Sequence, residues 1–143
     1  MKFFLTLFTA VCCSWLVFAQ EDTMAQHELE LLHGPCSVKR SGSKRSDDRF
    51  YIDMKGRNVT IYMEAASRIF SGTLKEDNTL DAFRDFGRER DHIVCTFTEN
   101  KVTGRVESWD VFDPDDKDRW EFEAVKDSSS EAEQFWQKYL KKW

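Results

Sequence analysis

The sequence predicts a mainly β fold, either a single antiparallel meander barrel or a β-sandwich of about seven strands. Two observations support this prediction. From position 49 onward, turn residues separate short stretches in which apolar and polar residues alternate. After position 127 the period changes, because apolar residues there recur at helical spacing. We therefore expect a β domain flanked by a short N-terminal helix and an amphipathic C-terminal helix.

Residues 1–19 have the layout of a secretory signal peptide. Lys2 precedes an apolar run that ends in Val17-Phe18-Ala19, and a Val-x-Ala ending is typical of a signal peptidase site. A retained membrane anchor is the alternative, but it needs about 20 apolar residues. We expect cleavage after Ala19, a secreted extracellular protein, and no stable membrane insertion of the mature chain.

Residues 20–48 are predicted to form a short helix and then a basic loop. A capping-box pattern at Thr23 and Gln26 starts the helix, and Gly34-Pro35 ends it. The loop has two basic pairs around a Ser-Gly-Ser segment, Lys39-Arg40 and Lys44-Arg45. This composition is typical of a solvated surface loop, and it leaves open a docking patch for a polyanion or a dibasic processing site.

The β domain is predicted over residues 49–126, and its central hairpin lies at residues 92–109. Apolar or small residues alternate on one face of both hairpin strands: Ile93, Cys95, Phe97, Val102, Gly104 and Val106. Glycine inside a strand often marks a close backbone approach, which suits a strongly curved sheet. Two charged stretches are interpreted as connections between strands, residues 84–91 (RDFGRERD) and residues 113–118 (DPDDKD).

Two covalent features are predicted. Removal of the signal peptide leaves Cys36 and Cys95, and two cysteines in a secreted chain most simply form one disulfide. The bridge would close a loop of roughly 60 residues and stabilise the fold by about 4 kcal/mol, with intermolecular pairing as the alternative. Asn58-Val59-Thr60 is a glycosylation sequon in a eukaryotic host, so a glycoprotein with its glycan on Asn58 is expected.

Residues 127–143 contain the predicted C-terminal helix. Ser130-x-x-Glu133 has the form of a capping box, and lysines follow in the last turn. One stripe holds the apolar residues of this segment, Ala132, Phe135, Trp136, Tyr139, Leu140 and Trp143. Because a bare helix of about 14 residues is marginal in water, we expect the stripe to pack on the β domain. Docking on a partner or at a membrane interface is the alternative.

Composition and motifs argue against several classes of function. The chain has 26 acidic and 21 basic residues, a formal net charge of −5, so no nucleic-acid partner is expected. The sequence has no Gly-x-Ser-x-Gly, no glycine-rich phosphate loop and no zinc-ligand spacing, and no cofactor is expected. One acidic stretch offers oxygen donors suited to Ca²⁺, although it lacks the glycine and the closing glutamate of an EF-hand: Asp113, Asp115, Asp116 and Asp118.

Four strand aromatics are candidates for lining a ligand cavity, Tyr51, Tyr62, Trp109 and Trp120. Pockets for small molecules are lined mainly by apolar and aromatic groups, which favours this role. Packing in the core is the more common role of aromatic residues in strands, and it is the alternative.

A secreted β-meander with a terminal helix resembles the calycin group, the lipocalins and avidins, in its layout. This calycin-like layout implies a barrel that can hold one small ligand, and it implies no particular site residue. We therefore predict a secreted non-enzymatic binding protein that carries a small apolar ligand. The alternative is a secreted protein-interaction module of the effector or inhibitor type, binding an extracellular protein through charged loops 39–48 and 84–91. A hydrolase that uses carboxylates is the third hypothesis.

Overall fold

The computed structural model describes residues 28–143, which form eight antiparallel strands in one sheet. The predicted signal peptide and the capping pattern at Thr23 and Gln26 lie outside the described residues. The strands are β1 (Gly34–Ser41), β2 (Asp47–Lys55), β3 (Asn58–Met63), β4 (Arg68–Thr73), β5 (Thr79–Phe86), β6 (Glu89–Phe97), β7 (Lys101–Asp110) and β8 (Asp113–Lys126). A helical turn at residues 28–30 precedes β1, a 3-10 turn (Ala65–Ser67) joins β3 to β4, and the C-terminal helix spans Ser130–Leu140.

The sheet is a meander that curls back on itself. Successive strands pair from β1 to β4 and from β5 to β8, and β8 then pairs with β1. The order across the sheet is therefore β4-β3-β2-β1-β8-β7-β6-β5, and the edge strands β4 and β5 meet at a seam. This nearly closed, barrel-like sheet confirms the predicted antiparallel meander.

Buried side chains from every strand fill the inside of the barrel. The strands contribute, among others, Val38, Phe50, Ile61, Phe70, Leu80, Ile93, Val106 and Phe122. Leu29, in the helical turn, and Leu32, just after it, complete this core at one end, which we call the closed end. The connections at residues 42–46, 64–67, 87–88 and 111–112 lie at the other end, which we call the mouth. Because the interior is a packed core, a ligand would have to bind outside it.

Several stretches that were assigned to loops belong to strands. Residues 36–41 lie in β1, residues 47–48 begin β2, residues 84–86 end β5, residues 89–91 begin β6, and residues 113–118 begin β8. Each stretch places charged residues at inward-facing positions, so the apolar alternation that marks a strand stops there. The sheet accordingly begins at Gly34, well before residue 49, and has eight strands instead of about seven.

The C-terminal helix begins one residue earlier than its capping pattern indicated. The N-cap is Ser129, not Ser130, and its hydroxyl accepts a hydrogen bond of 3.2 Å from the Ala132 N–H. Hydrogen bonds from Ser129 to the carboxylate of Asp127 lower the pKa of that carboxyl below its usual value. The start of the helix is therefore held to the end of β8 by side-chain hydrogen bonds.

The apolar stripe of this helix packs on the outside of the barrel, over β1 and β2. Trp136 is 1% exposed, and the centroid of its ring lies 5.8 Å from that of Tyr51 in β2. Farther along the helix, the hydroxyl of Tyr139 lies 3.2 Å from the hydroxyl of Ser67 in the 3-10 turn. The helix thus runs toward the mouth.

The predicted disulfide is not formed in the structure, where Cys36 and Cys95 are free, buried thiols. Burial raises the pKa of each thiol to about 12. Cys95 shares a row of the sheet with Gly104, Phe122 and Arg40. Cys36 therefore lies four residues from that row, an offset of about 13 Å along β1. A disulfide needs two Cα atoms within about 7 Å, so the register keeps the thiols apart.

Gly104 confirms that the central hairpin contains a close backbone approach. A β-carbon at this position would lie 2.4 Å from the β-carbon of Cys95 and 2.4 Å from the carbonyl oxygen of Val94. No residue with a side chain fits at such distances, so β7 can approach β6 here only because position 104 is glycine.

Candidate functional site

Charged side chains occupy the inward-facing positions nearest the mouth. Each follows or precedes a core residue by two positions, so strand alternation directs it into the barrel. We call this set the polar layer: Arg40, Asp48, Arg68, Arg84 and Asp91. The two carboxylate side chains are 0% exposed, and the three arginine side chains are between 8% and 18% exposed. Buried charges are tolerated only when they are paired, and these residues form two ion-pair groups.

Asp91 is the centre of the first group. Its Oδ2 accepts a hydrogen bond of 2.8 Å from Nε of Arg84 and lies 3.4 Å from Nε of Arg68, while Oδ1 accepts from the hydroxyl of Ser108. Glu89 supplies a second carboxylate, 3.1 Å from Nη2 of Arg68 and 3.7 Å from Nη2 of Arg84. The side chain of Glu89 is 44% exposed. The two guanidinium groups therefore lie between one buried and one exposed carboxylate.

Arg40 and Asp48 form the second group. Nη1 of Arg40 is 3.3 Å from Oδ2 of Asp48, and the guanidinium lies 3.6 Å from the centroid of the Trp120 ring. Asp48 also accepts hydrogen bonds from the N–H groups of Arg49 and Ala65, which fixes the connection between β3 and β4. Burial lowers the pKa of Arg40, and its Nε has no hydrogen-bond partner among the described residues.

Two clefts adjoin the Asp91 group. The mouth cleft, about 820 Å³ in volume, is bordered mainly by polar residues such as Arg88, Asp110 and Asp118. The side cleft, about 490 Å³ in volume, lies at the seam between β4 and β5. Most of the surface of the side cleft is apolar, although apolar and charged side chains both line it: Ile69, Phe86 and Trp143 with Arg68, Arg84 and Glu89. Neither cleft is lined by Arg40 or Asp48.

The structure does not bring the four candidate aromatics together. Tyr51 and Tyr62 are neighbours on the outer face of β2 and β3, with ring centroids 6.3 Å apart. Trp120 is 3% exposed and belongs to the core. Trp109 alone borders a cleft, the mouth cleft, and the ammonium of Lys117 lies 4.7 Å from the centroid of its ring.

The acidic stretch proposed for calcium lies in β8. Alternate residues of a strand face opposite sides, so Asp115 is directed away from Asp116 and Asp118. Within residues 28–143, no three His, Cys, Asp or Glu side chains are placed so that they could hold a metal ion.

The described residues also include two histidine–carboxylate contacts, and the closer one joins His92 to Asp81. Nε2 of His92 lies 2.7 Å from Oδ1 of Asp81 on the outer face of β5 and β6, and this hydrogen bond lowers the pKa of Asp81. The ring of His92 stacks on Phe83 with centroids 4.1 Å apart. The pair lines neither the mouth cleft nor the side cleft, and it links neighbouring strands.

No residue of the side cleft was predicted to bind a small molecule. Arg84, Phe86 and Glu89 belong to the stretch 84–91, which was proposed as a charged loop for a protein partner, and Trp143 was assigned to the helix stripe. The sequence does contain one indication of the two arginines. Arg68 stands two positions before Phe70 and Arg84 two positions after Ala82, so each continues an alternation of apolar residues. A charged residue at such a position is directed inward if the strand extends that far.

Comparison with known proteins does not assign the chain to a family. No protein-family model matches it, and neither does any curated protein. In the described part of the chain, no helix is both long and apolar enough to cross a membrane.

Proposed function

We propose that this chain is a secreted, non-enzymatic binding protein that holds a small, mainly apolar ligand in the side cleft. The cleft carries the proposal, since its volume of about 490 Å³ lies within the range of about 300–1,000 Å³ typical of small-molecule sites. Its lining of apolar side chains with a few polar groups is also typical of such sites. The site differs from the central cavity expected for a calycin-like barrel, because core side chains fill the interior.

Two exposed aromatic residues at the side cleft support this proposal. Phe86 is 71% exposed and Trp143 is 57% exposed. Exposed apolar surface beside a cleft often marks a place where a ligand or a partner binds. An apolar ligand between these rings would remove their surface from water, which is worth about 25 cal/mol per Å².

Titration with the neutral dye N-phenyl-1-naphthylamine tests the proposal. We expect the dye fluorescence to rise on binding, and Phe86→Ala and Trp143→Ala to weaken binding several-fold because they remove cleft walls. Phe83→Ala is the matched control, since Phe83 is 59% exposed in the same strand but lies outside the cleft. A dye that does not bind, or that binds equally to all three variants and the wild type, contradicts the side cleft as the site.

Secretion is part of the proposal and is supported by the sequence of residues 1–19. The predicted glycan fits this location, because Asn58 is exposed at the start of β3. The test is expression with the native leader in a eukaryotic host, which should release a chain that begins at Gln20. A chain retained with its leader contradicts this part of the proposal without affecting the ligand site.

An interaction module that binds an extracellular protein is the second candidate. Phe112 favours it, because it is 76% exposed at the mouth, where the connection at residues 42–46 also lies. We expect such a partner to bind less well after Phe112→Ala or after neutralisation of Lys44 and Arg45, both exposed. Arg40 should be left intact in this experiment, because it belongs to a buried ion pair.

A further inference from the structure

We infer that the ligand of the side cleft has an anionic head group, such as a carboxylate, and that Glu89 lies where this head group would bind. The inference rests on the proposed function and adds the chemical class of the ligand. Its basis is the arrangement of the Asp91 group, in which Arg68 and Arg84 pair with Asp91 and Glu89 and also line a mainly apolar cleft.

The two carboxylates that contact Arg68 and Arg84 have different roles. Asp91 is 0% exposed and accepts hydrogen bonds from Arg84 and Ser108, so it is a fixed part of the barrel. Glu89 is 44% exposed; its carboxylate accepts a hydrogen bond of 3.1 Å from Nη2 of Arg68 and lies 3.7 Å from Nη2 of Arg84. Because this carboxylate is open to water, its pairing contributes less to stability than that of the buried Asp91, since ion pairs exposed to water contribute little.

Glu89 can leave this position without a change in the backbone. Its side chain borders both the side cleft and the mouth cleft, so rotation about its own bonds can move the carboxylate from one to the other. A ligand carboxylate that replaces it restores the charge balance of Arg68 and Arg84. It also gains charge-assisted hydrogen bonds from guanidinium groups, while its apolar chain lies against Ile69 and Phe86.

The same arrangement disfavours other head groups. A neutral alcohol would leave Glu89 in place and gain no charge-assisted hydrogen bond. An ammonium group would be repelled by Arg68 and Arg84. Among ligands with the same apolar chain, the affinity should therefore follow the charge of the head group.

Competition experiments with the full mature chain test this inference. Decanoate, decanol and decylamine have the same chain length, and each is titrated against bound N-phenyl-1-naphthylamine. We expect decanoate to displace the dye at concentrations at least about tenfold below those needed for decanol, as one charge-assisted hydrogen bond implies. Decylamine should be the weakest competitor.

Glu89→Gln provides the second measurement, because it removes the competing charge and keeps the shape of the side chain. We expect it to raise the affinity for decanoate by about tenfold or more and to leave the affinity for decanol unchanged. Asp110→Asn is the matched control. Asp110 is 41% exposed and pairs with Arg88 at 2.8 Å, yet it borders only the mouth cleft. This control should change decanoate binding far less than Glu89→Gln.

The outcomes separate this inference from the proposed function. Equal displacement by decanoate and decanol overturns the anionic head group, while the binding site for an apolar ligand stands. If decanoate binds better than decanol but Glu89→Gln does not raise its affinity further, the head group does not bind where Glu89 lies. If neither the dye nor any of the three ligands binds, the proposed function fails and the inference fails with it.

Discussion

At the scale of single residues, Asp91 is a buried charge at the mouth that pairs with two arginines. It is 0% exposed and lies within 3.4 Å of nitrogen atoms of both Arg68 and Arg84. These two arginines come from β4 and β5, so their contacts with Asp91 join the two edges of the sheet. An isolated buried charge is very unfavourable, and each member of the group therefore depends on the others.

Replacement of Asp91 by alanine should lower the free energy of unfolding by about 3–5 kcal/mol, because it leaves two guanidinium groups with only Glu89. Chemical denaturation measures this change. Asp85→Ala is the control on the same hairpin, since Asp85 pairs with Arg90 at the surface and its loss should leave the denaturation curve close to that of the wild type. Equal effects of the two substitutions would show that the buried group does not support the fold.

The two thiols should be unreactive in the folded protein. Burial raises the pKa of Cys36 and Cys95 to about 12, and a thiol reacts as its thiolate. Peptide mapping after treatment with iodoacetamide at pH 8 should find neither residue labelled in native protein and both labelled in denaturant without a reductant. Labelling that requires a reductant would instead show that the originally predicted disulfide forms.

The same thiols should make the protein less stable in alkaline solution. Their pKa rises from 9.0 to about 12 on folding, so the folded state holds protons that the unfolded state releases. This contribution to stability is complete below about pH 9 and is lost as the pH rises toward about 12, by up to about 1.4 kcal/mol per pH unit for each thiol. Denaturation at several pH values compares the wild type with the Cys36→Ala, Cys95→Ala double variant, whose slope should be smaller. If stability falls with pH equally steeply in both proteins, the two thiols do not cause the loss of stability in alkaline solution.

At the scale of elements, apolar alternation predicted the apolar parts of β2 to β8, but it missed β1, although Cys36 and Val38 of that strand are buried. The hairpin of β6 and β7 was predicted with its inward-facing residues, and Gly104 marks the close approach that glycine indicated. The mouth ends of β5, β6 and β8 were missed because their inward-facing positions hold charged residues such as Arg84 and Asp91. These missed ends lie at the mouth, so the rule failed at the candidate site. A hydrophobic pattern cannot indicate which distant charges will neutralise each other.

The C-terminal helix was predicted well because its period differs from that of the strands. The pattern could not show which of its aromatic residues are buried and which are exposed. Trp136 is 1% exposed against Tyr51, whereas Trp143 is 57% exposed at the side cleft.

We expect Trp136→Ala to lower the free energy of unfolding by about 3–5 kcal/mol and Trp143→Ala to change it little. Denaturation followed by circular dichroism measures both. A large loss of stability in Trp143→Ala would mean that this ring supports the fold and is not reserved for a ligand.

At the scale of the whole molecule, the two ends of the barrel differ in chemistry. The closed end is completed by apolar side chains such as Leu29 and Leu32, whereas the mouth has a layer of ion pairs. The side cleft lies on the seam beside this layer, where a ligand can contact apolar and charged groups together. Binding there requires no rearrangement of the core. A modification at the closed end should therefore leave ligand binding at the mouth unchanged, and the predicted glycan on Asn58 offers a test of this.

Asn58 belongs to the closed end, because it follows the turn between β2 and β3. It is exposed, and its Oδ1 accepts a hydrogen bond of 2.9 Å from the hydroxyl of Thr73, which leaves its Nδ2 as the atom that would bind a glycan. We expect the chain secreted from a eukaryotic host to gain the mass of one N-glycan and the Thr60→Ala variant to lack it. Mass spectrometry measures this difference.

Because the glycan and the side cleft belong to opposite ends, enzymatic removal of the glycan should not change the affinity for N-phenyl-1-naphthylamine. A wild-type chain secreted without a glycan contradicts the prediction for Asn58 alone. A glycan whose removal alters dye binding contradicts the placement of the ligand site at the mouth end, because a sugar on Asn58 would then have to reach the bound dye.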